Sequence, residues 1–334
     1  MNSLAEIAEL LRRETNCVLS THVSPDPDAI GSCFALAQIL SSLGIKVSVW
    51  LQDPLPEKFA LWIGEIPWTT SVDDTRWSAF IAVDTASRPR VGREVERLIS
   101  QSERSYNIDH HVSNDGWAEI NYIDGKAPAC AQIIWQLAKL LTASAVNRAE
   151  IGSVVNASVA RLLYGGLADD TGRFCFSNTT PESFITAAEM VGSGAKPHEV
   201  AQQLYFSQPL HVLRLQGVAL SALKILCSGR IALITITSED LKSTGATSED
   251  TEGLVDIARS IDGVEAAVFL RQLTDGWKVS LRSKVDWLDV NAIAGTFGGG
   301  GHRAAAGCRV DGSREQAESA VIAKVEAAIL SKGR

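Results

Sequence analysis

The sequence has no Cys-x-x-Cys pair, no excess of basic residues and no apolar run approaching the roughly 20 residues that cross a bilayer. Its six cysteines (Cys17, Cys33, Cys130, Cys175, Cys227 and Cys308) are scattered, mostly among apolar neighbours. That argues against a thiolate metal site or a disulfide framework and for a reducing cytoplasm. Lys and Arg number 31 against 39 Asp and Glu, a net charge of −8, which argues against a long duplex wrapped on a basic surface, and any nucleic-acid ligand should be short. The N-terminal residues lack the basic and apolar regions of an export signal, and neither export nor a membrane is expected. What is present is globular: 46% hydrophobic and 21% charged residues over 334 positions, enough for two domains.

Ser3 and Glu6 have capping-box spacing ahead of Leu4, Ile7, Leu10 and Leu11, which predicts a helix ending near Asn16. A short β-prone run at 17–21, a Pro/Asp loop and a helix over 29–43 closed by Gly44 follow. Further strands are predicted at 46–51, 79–85 and 104–109. Strands interleaved with helices predict a parallel sheet covered on both faces, with ligands gathered at the strands' C-terminal ends. The stretch 129–166 reads as mainly helical and 181–226 continues so. Then come strands at 230–237, 264–273 and 277–282, a helix over 289–297, a glycine run, another strand and a closing helix over 313–331. The fold class expected is α/β: a parallel-sheet domain over 1–191, a helical connector over 192–228 and a smaller α/β domain over 229–334.

Four polar clusters fall at the ends of these elements. Thr21-His22-Val23-Ser24-Pro25-Asp26-Pro27-Asp28 places one imidazole and two carboxylates in a loop stiffened by two prolines. Asp84 closes the apolar run Ala79-Phe80-Ile81-Ala82-Val83. Asp109-His110-His111 follows a strand, and Asp169-Asp170-Thr171-Gly172 follows helical sequence. Singly, each has an ordinary explanation: Asp28 caps its helix, Asp84 caps a turn, paired histidines sit on a surface. Together they suit hard divalent ions, because mixed carboxylate and imidazole donors without thiolate favour Mn²⁺ or Mg²⁺ over structural zinc. Two ions about 3.5–4 Å apart need a bridging carboxylate and can clamp a phosphoryl group and lower the pKa of a bridging water.

In order and spacing, His22-x-x-x-Asp26-x-Asp28, Asp84, Asp109-His110-His111 and Asp170-Thr171-Gly172 resemble the four motifs of the DHH phosphoesterase superfamily. Phe297-Gly298-Gly299-Gly300-Gly301-His302-Arg303 resembles the glycine-rich signature of its associated C-terminal domain. Ser177-Asn178-Thr179-Thr180-Pro181 and Val279-Ser280-Leu281-Arg282-Ser283 resemble, more narrowly, the bifunctional oligoribonuclease and 3′-phosphoadenosine 5′-phosphate phosphatase branch. The resemblance implies that His22, Asp26, Asp28, Asp84, His110 and Asp170 ligate two divalent ions, Mn²⁺ first and Mg²⁺ or Co²⁺ as alternatives, with Asp84 the bridge. It implies Asp109 as support for a ligating histidine and His111 as the group that contacts phosphate or protonates the leaving oxygen. Pro27 stands where the family commonly has Gly, and Asp169 where it often has Thr, which leaves two adjacent acids of which Asp170 matches the motif.

Arg282, Ser283, Gly299, Gly300, Gly301, His302 and Arg303 are the expected substrate-binding residues, because backbone amides without side chains approach a phosphate closely and the cations add directed bonds. A second domain holding one end of the substrate would limit its length. The substrates implied are short single-stranded RNA, linear dinucleotides and 3′-phosphoadenosine 5′-phosphate, and a homodimer is the assembly allowed for. Pyrophosphate, polyphosphate and cyclic dinucleotides are the alternatives, and a non-catalytic nucleotide sensor is a third class. Against a pyrophosphatase, whose family carries Ser-Arg-Lys, this chain reads Arg282-Ser283-Lys284.

Overall fold

The computed structural model describes residues 1–55, 59, 62–143 and 154–332. Two compact units divide the chain, Met1–Ser207 and Gln208–Arg334. The stretch read as a connector is split between them: its first part belongs to the first unit and its last to the second.

In the first unit the elements are α1 (Leu4–Leu11), β1 (Asn16–Ser20), α2 (Pro27–Ser42), β2 (Lys46–Trp50), β3 (Trp68–Thr69), β4 (Trp77–Val83), α3 (Arg97–Ser100), β5 (Ser102–Asp109), β6 (Ile120–Ile123), α4 (Cys130–Thr142), α5 (Ala157–Asp170), α6 (Pro181–Gly192) and α7 (Pro197–Ala201). All six strands are parallel, in the order β3-β2-β1-β4-β5-β6. Alternate residues of the central strands enter opposite cores: Cys17, Leu19, Ile81 and Val83 pack among the helices α1, α2, α4 and α5, while Val18, Phe80 and Ala82 pack on Val91, Val95 and Leu98. Both faces are thus covered, as the alternation of strand and helix predicts. The helical run expected from 129 is α4 and α5, and its part over 144–153 lies outside the described residues.

The capping box of Ser3 and Glu6 forms, but α1 stops at Leu11 and Asn16 already belongs to β1. Strand β6 and the two-residue β3 were not anticipated, since neither has an apolar alternation long enough to register. Glycine permits the tightest helix contact: a Cβ on Gly31 of α2 would stand 2.5 Å from Leu162 O of α5, and one on Gly166 would stand 2.5 Å from Asp28 Oδ1.

The second unit contains α8 (Leu210–Ser221), β7 (Lys224–Leu226), β8 (Ile231–Ile236), α9 (Ser238–Thr244), α10 (Leu254–Arg259), β9 (Ala266–Leu273), β10 (Gly276–Ser283), α11 (Val290–Gly295), β11 (Gly300–His302), β12 (Ala305–Val310) and α12 (Arg314–Ser331). Its sheet runs β11-β12-β10-β9-β8-β7, parallel only between β8 and β9. Strand β7 lies within a stretch the sequence reads as helix. The glycine run becomes a helix stop followed by an edge strand: the Gly298 and Gly299 amides donate to Gly295 O and Ala294 O at the end of α11, and Gly300–His302 pair with β12.

Candidate active site

Strand order reverses between β1 and β4, and open parallel sheets bind ligands beyond the strand ends at such a switch point. The loops leaving these two strands and β5 carry His22, Asp26, Asp84, His110 and His111, while Asp28 lies in the first turn of α2 and Asp109 ends β5. Asp26 is the N-cap of α2, its carboxylate accepting Ala29 N–H at 2.9 Å. Asp28 caps a helix too, though not its own. Fully buried, it accepts Cys130 N–H at 2.6 Å and Ala131 N–H at 2.9 Å at the start of α4, and Ser32 Oγ donates to it at 3.1 Å. Asp84 turns sharply out of β4 with φ 51°, and its amide donates to Ile108 O of β5. Asp170 is the last residue of α5.

These side chains converge. His22 Nε2 lies 3.6 Å from both Asp26 Oδ2 and Asp84 Oδ2, and His110 Nε2 lies 3.3 Å from Asp84 Oδ1 and 3.2 Å from Asp170 Oδ2. Three overlapping groups result: His22, Asp26 and Asp84; Asp84, His110 and His111; Asp28, His110 and Asp170, the potential ligand atoms within each lying within 4.8 Å of one another. Asp84 therefore turns one oxygen to each of two groups. Both histidines present Nε2 inward because Nδ1 bonds a backbone carbonyl, Val23 O at 2.8 Å for His22 and Ala127 O at 3.3 Å for His110. Of the two adjacent acids, Asp170 joins the cluster, whereas Asp169 receives a hydrogen bond from Tyr205 OH at 3.3 Å.

The electrostatics show a site short of positive charge. Burial, and then the neighbouring Asp84 carboxylate, push Asp28 up to about 8; burial, then Asp28 and Asp84, push Asp170 up to about 9. Burial acts to raise the Asp84 carboxyl as well, but the imidazoles of His110 and His22 outweigh it and hold that carboxyl below its ordinary range. Burial acts to lower His22 and His110, yet Asp26 and Asp84 in the first case, and Asp84 with Asp28 in the second, raise both to about 10. Asp84 Oδ1 is buried without a hydrogen-bond donor, although His110 Nε2 is near. Crowded carboxylates, inward-facing imidazole nitrogens and an orphaned carboxylate oxygen fit divalent cations.

Asp109 serves the other histidine. Its Oδ1 accepts from His111 Nδ1 at 2.8 Å, which raises the His111 pKa and leaves Nε2 as that ring's remaining nitrogen. Asn114, which carried no metal-ligand spacing in the sequence, donates to Asp109 Oδ2 at 2.6 Å. Thr171 is wholly buried and bonds Leu167 O, so it shapes the turn at Gly172, which has φ 54°.

In the second unit, Arg282, Ala305 and His302 form one row across β10, β12 and β11. Arg282 is half-buried, while Gly300, Gly301, His302 and Arg303 are exposed. Two residues depart from the expected role. Ser283 is buried with its hydroxyl donated to Val285 O at 2.7 Å, and Gly299 spends its amide on α11, where a Cβ would meet Gly307 O at 2.2 Å. Arg303 is held through Nε by Asp286 O at 2.8 Å.

Fold and site together define a two-unit α/β protein with a carboxylate and imidazole cluster at the switch point of its parallel sheet. The DHH family N-terminal domain matches residues 16–167 and the DHHA1 domain matches residues 231–331, so the chain belongs to the DHH family of phosphoesterases. Among its relatives is the bifunctional oligoribonuclease and PAP phosphatase NrnA of Thermus thermophilus, 34% identical over 309 residues, 92% of this chain and 88% of that one. The NrnA of Bacillus subtilis is 28% identical over 302 residues, 88% of each chain. A crystal structure of an exopolyphosphatase-related protein from Bacteroides fragilis superposes with a TM-score of 0.88 at 26% identity, covering 98% of this chain and 97% of that one.

Proposed function

We propose that the chain hydrolyses short oligoribonucleotides, from linear dinucleotides to a few residues, to nucleoside 5′-monophosphates, and removes the 3′-phosphate from 3′-phosphoadenosine 5′-phosphate. The observation that carries this reading is Asp84 turned between two groups of potential ligands. His22, Asp26 and Asp84 would hold one divalent ion, and Asp28, Asp84, His110 and Asp170 the other, with Mn²⁺ the preferred ion. Bound there, the ions supply Lewis acidity to the phosphoryl oxygens and acidify water. His111 Nε2 donates a proton to the leaving oxygen, Asp109 keeps that ring oriented, and Asp28 and Gly166 fix the approach of α2, α4 and α5. Arg282, with the exposed Gly300, Gly301 and His302, supplies an anion-binding surface in the second unit, and Arg303 lies at its margin.

The relatives named NrnA support the substrate assignment, and the six free cysteines support a reducing cytoplasm. No helix among the described residues is long and apolar enough to cross a membrane. A polyphosphate or pyrophosphate hydrolase is the second reading, favoured by the name of the Bacteroides fragilis protein. A Mn²⁺-supplemented assay decides: nucleoside monophosphates released from a dinucleotide, and phosphate from the adenosine bisphosphate, each faster than hydrolysis of pyrophosphate, polyphosphate or a cyclic dinucleotide. Preferential phosphate release from polyphosphate contradicts the assignment.

A further inference from the structure

Asn114 holds two walls of the site at once. Its two Nδ2 hydrogens are divided among three acceptors, Asp109 Oδ2 at 2.6 Å, Asn107 Oδ1 at 2.7 Å and, as the longer shared contact, the Thr85 carbonyl at 3.2 Å, and its Oδ1 accepts Gly116 N–H at 2.9 Å. The first wall is the loop after β4, where the Thr85 carbonyl also accepts Asn107 Nδ2 at 3.2 Å and Trp117 Nε1 at 3.0 Å. Thr85 is fully buried and directly follows Asp84, so these donors fix the backbone from which the Asp84 carboxylate projects. The second wall is the end of β5 and the loop after it, where Asp109, also fully buried, receives Asn114 on one oxygen and His111 Nδ1 on the other.

A carboxylate held at both oxygens cannot rotate freely, and the ring it accepts from keeps a single orientation. We infer that Asn114 is a positioning residue that registers His111 against Asp84, clamping the Thr85 carbonyl and the Asp109 carboxylate with one amide so that His111 Nε2 meets the leaving oxygen. The inference rests on the proposed phosphoester hydrolysis and adds to it the group that sets its geometry. No ligand of either proposed ion bonds directly to the Asn114 side chain, and without it the Thr85 carbonyl behind Asp84 keeps Asn107 Nδ2 and Trp117 Nε1 as donors.

The test uses the full chain with Mn²⁺ and two substrates: a linear dinucleotide, whose leaving oxygen needs a proton, and the p-nitrophenyl ester of thymidine 5′-monophosphate, whose aryl oxide departs without one. Asn114→Ala removes the donor; Asn114→Asp keeps the shape and sets a second carboxylate against Asp109. Both should lower kcat on the dinucleotide about 10- to 100-fold, the loss usual for a group supporting an active histidine. KM and calorimetric Mn²⁺ affinity should stay within about threefold of wild type, and the loss on the aryl ester should shrink to about threefold or less. Equal losses on both substrates, a defect seated in KM or Mn²⁺ affinity, or variants as active as wild type on the dinucleotide overturn the inference while the hydrolytic reading stands. A wild-type chain inactive on both substrates overturns the reading and the inference together.

Discussion

At the residue scale, the cage is a compromise between folding and function. Asp170 is a carboxyl whose burial and acidic neighbours raise its pKa to about 9, so in the metal-free protein its ionised form opposes folding. The penalty is absent below the ordinary carboxyl pKa near 4 and grows as pH rises toward 9, because the unfolded chain releases that proton and the folded one retains it. Asp170→Asn should therefore raise the melting temperature of the metal-free protein at pH 8, leave it nearly unchanged at pH 4, and abolish Mn²⁺-dependent turnover. Calorimetric melts at the two pH values check the sign. The acids and imidazoles that converge here were legible as candidates in the sequence, because ligand chemistry restricts residue type and each falls at an element end. Asp28's cap on α4 was not, since its partners Cys130 and Ala131 lie 102 and 103 residues away and offer only backbone. Asn114, inside the polar cluster at the end of β5, had no legible role because an amide that orients a carboxylate obeys no spacing rule.

At the element scale, α2 and α5 deliver Asp28 and Asp170 to the same point, and that delivery depends on Gly166. An added methyl there would stand 2.5 Å from Asp28 Oδ1, 2.9 Å from Asp28 Cα and 3.0 Å from Ala131 Cβ, and two of these three atoms ride on helix backbones. Gly166→Ala should force the helices apart at a cost of about 1–3 kcal/mol, the usual penalty for overpacking, and weaken Mn²⁺ binding as it does so. Denaturant titration and calorimetry on one preparation measure both, and an unchanged Mn²⁺ affinity would show that the helix spacing does not set the cage. The main strands and helices were legible from period and capping, as in the Ser3–Glu6 box and the apolar β4. Those that were not are short or lean on neighbours: β7 has three residues paired to β8, and β11 is a glycine strand whose conformation comes from β12 and the end of α11.

At the scale of the whole molecule, two units with separate cores carry the chain, and the residues proposed to hold metal all belong to the first. Ligand binding to the folded state alone stabilises by about 2.7 kcal/mol at a concentration one hundred times Kd. Mn²⁺ should accordingly raise the melting transition of the first unit and leave the second nearly unmoved, with chelator reversing the shift and the turnover together; scanning calorimetry with and without Mn²⁺ resolves the two. The division between the units at Ser207 lies inside the 192–228 stretch that the sequence reads as a connector, where helices on both sides have similar composition and only their packing partners separate them.

Asp84 is proposed as the carboxylate shared by paired cations. Diffraction from a manganese-soaked crystal, with data collected at the manganese absorption edge, tests it most directly. Two anomalous peaks are predicted about 3.5–4 Å apart, each within coordination distance of a different Asp84 oxygen, one beside His22 and the other beside His110. A single peak away from Asp84, or none among these side chains, would contradict it.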